Sequence, residues 1–262
     1  MYRSGNPTLR DSTFQDSTYQ GAPWWDSNQS QSMTIEGVAE KTGVLLLITA
    51  TVALATAFTA TPESAFLFII LGFLGSLILS LFIVFRRSIN PGLICAHSAF
   101  EGLFIGGLTW FYEVALDLPG IGIIAAVLTF AILAAMLAIY RAGLIAWNRN
   151  LAIAVASSVV AIILIYIVSI IGALTGAYSV PYIHDATPIG IAFSLFVIAI
   201  GSLCLVADFD FIERGVQSGA RKELEWTAAF GLMVTLVWLY IEILRLLAKA
   251  VSYTHLRAHE TD

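Results

Sequence analysis

The sequence predicts an all-α integral membrane protein with seven transmembrane helices. Three observations predict it. Of the 262 residues, 58% are hydrophobic and only 12% charged, against roughly 45–50% apolar and about 25% charged in soluble domains. The mean hydropathy is +0.86, which excludes a disordered chain, a collagen-like fibre and a soluble enzyme together. Seven apolar runs also reach the roughly 20 residues a helix needs to cross about 30 Å of hydrocarbon. The net charge of −5 argues against nucleic acid as a partner, since that requires a basic face.

Residues 1–42, rich in Ser, Gln, Asn, Asp and Thr, read as a polar, disordered N-terminal tail. They do not read as a secretory signal, because the first apolar run begins only after 42 residues and no small-residue cleavage site follows a basic start. The apolar runs then cover about 43–60, 64–85, 91–112, 121–140, 151–174, 189–210 and 228–250. Three begin with a capping residue followed by proline at the first helical position: Thr61-Pro62, Asn90-Pro91 and Thr187-Pro188. Connections are short, and no internal repeat suggests a transporter's paired halves. Cys95 and Cys204 lie inside apolar runs and read as small core residues. The final stretch, 252–262 (SYTHLRAHETD), turns abruptly polar. It looks like a non-native tail left by sequencing adaptors, so its His255 and His259 are set aside as metal ligands.

Arg3, Arg10 and Lys41 in the tail, then Arg86, Arg87, Arg141, Arg149, Arg214, Arg221 and Lys222 in alternate loops, all fall on one side. The intervening loops near 61–63, 113–120 and 175–187 carry no Lys or Arg. This asymmetry predicts a cytoplasmic N-terminus and an external C-terminus, with Arg245 and Lys249 in mild opposition.

Ionisable groups inside the runs are expensive and therefore informative. His97 and Glu101 are four apart on one face of span three. Glu101 lies about 15 Å along the helix from Pro91. Either it hydrogen-bonds a neighbouring helix or it lines an ion or proton path; His97 is a polar packing residue or a member of that path. In span six, Asp208 and Asp210 fall where the apolar run ends, so two acids oppose a helix C-terminus. Asp210 reads either as functional or as reaching the interface. In span seven, Glu242 and Arg245 share a face. They form an internal ion pair, or Glu242 meets a carboxylate from another helix. Two such carboxylates do not readily ionise together, and deprotonation drives them apart; the same oxygens suit Ca²⁺. No HExxH, Gly-x-Ser-x-Gly, P-loop or dinucleotide fingerprint occurs, so the chain is not expected to be an enzyme and no cofactor is implied.

The run ADFDFIERG (207–215), followed by LVWLYIEILRLL (236–247), resembles the transmembrane Bax inhibitor motif family, also called the Bax inhibitor-1 family, and its bacterial branch in particular. The resemblance extends from SGNPTL (4–9) through span seven. It implies six helices around a central seventh, a pH-sensitive Ca²⁺ leak, and a di-acid pH sensor. That sensor falls on Asp208 and Glu242, with Arg86 or Arg87 as a basic latch. Glu101, judged to lie at the depth of Glu242, is expected to join the cluster with Arg245 as counter-ion. Three functions stay open: a Ca²⁺-permeable leak gated by protons, a proton-coupled cation exchanger using the same carboxylates, or, as the resemblance to bacterial relatives implies, a non-conducting regulator of partners such as a membrane quality-control protease. The bacterial inner (plasma) membrane is the expected location.

Overall fold

The computed structural model describes residues 32–86, 89–176 and 185–259. Within them run α1 (Ile35–Thr59), α2 (Pro62–Arg86), α3 (Pro91–Trp110, continued by a π-helical turn at Phe111–Ala115), α4 (Ile121–Arg141), α5 (Arg149–Thr175), α6 (Pro188–Gln217) and α7 (Leu224–His259). Seven helices among the described residues are thus long and apolar enough to cross a membrane, and the chain is an integral membrane protein.

The predicted caps are present. Asn90 accepts from Gly92 N at 2.9 Å and Thr187 accepts from Gly190 N at 3.1 Å. At α2, Ser64 N donates to Thr61 Oγ1 at 3.3 Å, while Thr61 N donates to Ser64 Oγ at 2.8 Å. Each satisfies amides that a helix start leaves without partners. Gly219 (φ 66°) closes α6 in the left-handed conformation that spares glycine a steric cost.

Three boundaries differ from the expectation. The tail does not extend to residue 42, because α1 starts at Ile35 behind an N-cap at Thr34. Met33 N donates to Ala220 O at 2.7 Å, and Ser32 bridges to Arg221. Tertiary pairing orders this polar start, so apolar runs alone could not place it. Residues 1–31, with Arg3 and Arg10, lie outside the described residues. Span six does not end at Asp208–Asp210; α6 continues to Gln217, so Asp208 stands nine residues inside it. A terminal dipole acts within the last turn only, which removes that objection to the acid. Finally, α7 continues past residue 251 to His259, since no Gly or Pro stops it there.

Six helices surround α7, whose apolar window is 56% buried against 11% for α5. α7 packs on α1, α3, α4 and α6, whereas α2 leans on α3 and α5 on α6. One end of the bundle gathers the starts of α1, α3, α5 and α7 with the ends of α2, α4 and α6. Arg86, Arg141, Arg149, Arg214, Arg221 and Lys222 all lie there, and we call it the basic face.

Glycines set the close contact between α1 and α3. A Cβ at Gly106 would overlap Ala53 O and lie 2.7 Å from Thr56 Cβ, the small-residue packing typical of helices in lipid. Gly106→Ala is therefore expected to destabilise the protein by about 1–3 kcal/mol, read by thermal unfolding in detergent. Gly43→Ala, with nothing within 4 Å, should be neutral or stabilising by up to about 1 kcal/mol.

Candidate functional site

α7 passes between two carboxyls carried by different helices. On the α3 flank, His97 and Glu101 are 1% and 7% exposed. His97 Nε2 lies 2.7 Å from Ser80 Oγ of α2 and 3.6 Å from Glu101 Oε1. The imidazole meets Phe230 of α7 edge-on, with centroids 4.9 Å apart. Next to it, Ser98 Oγ donates to Met233 Sδ at 3.1 Å. On the α6 flank, Asp208 faces α7 at Gly231 and Thr235. The Thr235 hydroxyl donates to Gly231 O at 3.2 Å, and a methyl at Gly231 would sit 3.9 Å from Asp208 Oδ1.

These contacts set the level of each acid. α3 and α7 both rise from the basic face, with Phe230 beside His97 and Met233 beside Ser98. Three residues further along α3, Glu101 stands level with the Thr235 region of α7. Asp208 is at that same level on another flank. Among the described residues, three buried side-chain atoms have no hydrogen-bond partner: His97 Nδ1, Glu101 Oε2 and Asp208 Oδ2. All three belong to this belt.

Glu242 is elsewhere. It lies seven residues beyond Thr235, about 10 Å along the helix. Tyr166 of α5 donates to Glu242 Oε1 at 2.8 Å. Arg245 Nη1 donates to Tyr166 Oη at 2.7 Å and to Glu242 Oε1 at 3.2 Å. The expected Asp208–Glu242 sensor is thus not formed, because the antiparallel register of α6 and α7 sets Asp208 opposite a glycine and a threonine. Nor does Glu101 join Glu242 and Arg245. Nine residues separate Met233 from Glu242, or 900° at 100° per residue, so Glu242 points half a turn away from α3. The internal ion pair is what Glu242 makes. Among the described residues, no group of three or more His, Cys, Asp or Glu is placed to hold a metal ion, and Asp208 with Glu242 do not form the expected Ca²⁺ pair.

The other expected residues also find places. Asp210 bonds Arg214 at 2.8 Å across one helical turn. Arg86 is exposed above the Phe82 ring, 5.7 Å from its centroid, and no described residue pairs with it, so it does not latch the acids. Arg87 lies outside the described residues.

Two buried clusters escaped the sequence. Glu225, with 0% exposure, accepts from Thr34 N at 2.9 Å and Thr34 Oγ1 at 3.1 Å and forms an ion pair with Lys41. This pins the start of α1 to the start of α7. Lys249, 5% exposed, donates to Gly190 O at 3.1 Å and Ser194 Oγ at 2.9 Å of α6. Lys249 was visible as a cation in an apolar run. Glu225 lies in a polar loop sequence that gives no sign of burial.

No curated protein matches the chain. The family described as Bax inhibitor 1 like matches residues 6–252, nearly the whole chain and all seven spans. With seven membrane helices arranged six around one, and with Asp208 carried on α6 within the motif, the chain belongs to the Bax inhibitor 1-like family.

Proposed function

We propose that the protein is a non-enzymatic cation leak, permeable to Ca²⁺, whose opening is controlled by protonation of Glu101 and Asp208. The observation that carries this is the belt itself: two carboxyls at one level, on opposite flanks of the central helix, each with a buried oxygen lacking a hydrogen-bond partner. A neutral carboxyl is tolerated in such a seam. An ionised one without a counter-ion costs several kcal/mol, which water or a permeant cation relieves. Deprotonation therefore favours a loosened, wetted contact along α7, and hydrated oxygens attract a hard cation. The sign follows directly. Acid closes the path, and flux rises with pH.

The basic face supports a cytoplasmic N-terminus, with α7 ending on the outer side of a bacterial inner membrane. The test is Ca²⁺ flux from proteoliposomes of purified protein between pH 5 and pH 8. The reading requires flux that increases across this range. Flux absent at every pH would sink it.

A further inference from the structure

A groove of about 590 Å³ opens at the basic face between α1, α4, α6 and the α4–α5 connection. Its walls are apolar, including Ile35, Leu137, Phe209 and Leu232, with Trp147 at the lip. Charged groups of both signs rim it: Arg141, Asp210 and Glu213. Their partners differ. Asp210 is neutralised by Arg214 at 2.8 Å. Glu213 accepts from Tyr140 Oη and from Gln217 Nε2 at 3.1 Å, yet forms no ion pair with any described residue; a carboxylate has capacity for further donors. Arg141 is exposed and makes no ion pair with any described residue. The rim thus offers one free guanidinium and one uncompensated carboxylate over an apolar slot.

The groove also lies where the hydrophobic spans end. In its wall, Leu137 is 39% exposed, a surface that faces lipid chains in a membrane. Tyr and Trp are the side chains that settle at this boundary.

We propose that this groove is a binding site for a phospholipid with a primary-amine zwitterionic headgroup, such as phosphatidylethanolamine. Arg141 takes the phosphate in the forked geometry that guanidinium provides. Glu213 accepts from the ammonium N–H groups, and the acyl chains follow the apolar walls out to the bilayer. A choline headgroup has the same charges but no N–H donor. A glycerol headgroup has no cation for Glu213. The site therefore discriminates by headgroup amine. Through Phe209, the residue after Asp208, the bound lipid lies against the same helix as the acid belt; the binding claim is independent of ion conduction.

Native mass spectrometry of the full-length protein tests this, in detergent doped with equal amounts of phosphatidylethanolamine, phosphatidylcholine and phosphatidylglycerol. The wild type should retain one phosphatidylethanolamine in preference to the other two. Loss of one charged hydrogen-bonding partner weakens binding by roughly tenfold, so Arg141→Gln should reduce phosphatidylethanolamine retention by about that factor. Glu213→Gln should bring phosphatidylethanolamine and phosphatidylcholine to equal retention. Both substitutions are at exposed positions, and an unchanged elution profile verifies folding. Equal retention of all three lipids by the wild type overturns the proposal, as does a wild-type pattern in both variants. Displacement of the lipid by an equal concentration of soluble glycerophosphoethanolamine also overturns it, since the acyl chains would then contribute nothing.

Discussion

Lys41→Met is expected to destabilise the protein by about 3–5 kcal/mol, because it strands a buried carboxylate. Glu225 is fully buried while the Lys41 side chain retains 16% exposure, so the two halves of the pair are unequal. Glu225→Gln leaves a lysine beside the basic face that can extend its ammonium to water, and should cost less. Thr34 N and Oγ1 still have an amide oxygen to bond in that variant. The double variant should be closer to wild type than the sum of its parts, since replacing both members of a buried pair is often nearly neutral. Thermal unfolding in detergent measures all four proteins. For Lys41→Met a fall in Tm of roughly 10 °C corresponds to this loss at the chain's size. A Lys41→Met protein within about 1 kcal/mol of wild type would show that the pair is solvated and that α1 is not pinned to α7 here.

The membrane helices were legible because their signal is local. Lipid demands about 20 apolar residues per span, and Pro91 and Pro188 behind Asn90 and Thr187 mark helix starts within a few residues. Pairings across the bundle were not legible. Asp208 and Glu242 both read as acids in the wrong solvent, but which group each faces depends on the α6–α7 register. That register is decided by close contacts such as Gly201 against Leu239, and no property of Asp208 itself reveals it. Depth is hidden for the same reason. Residue counts from the edge of an apolar run set Glu101 beside Glu242, while α7 begins at Leu224, earlier than its apolar run. The start of α1 was hidden because Thr34 and Lys41 are polar, and only Glu225, about 190 positions away, makes their burial favourable.

The α6–α7 register decides which substitutions matter for pH sensing. Glu242 already has Arg245 as its cation and Tyr166 as its donor, so its charge is compensated in place. Among the described residues, Glu101 and Asp208 lack a permanently charged counter-ion; His97 is 3.6 Å from Glu101, and Asp208 lies against Gly231 of α7, with Cys204 one turn before it on α6. An acid whose ionisation is uncompensated couples a pH change to helix packing more directly than one whose charge is already balanced.

The decisive measurement is Ca²⁺ flux between pH 5 and pH 8 from liposomes holding wild type, Asp208→Asn, Glu101→Gln or Glu242→Gln. Flux through the wild type should rise with pH. Asp208→Asn and Glu101→Gln remove a titrating charge while keeping shape, and each should flatten the profile markedly. Glu242→Gln should keep the wild-type dependence, whatever its absolute rate. A flat profile in Glu242→Gln together with wild-type profiles in the other two would place the sensor at the Arg245 cluster and contradict the belt around α7.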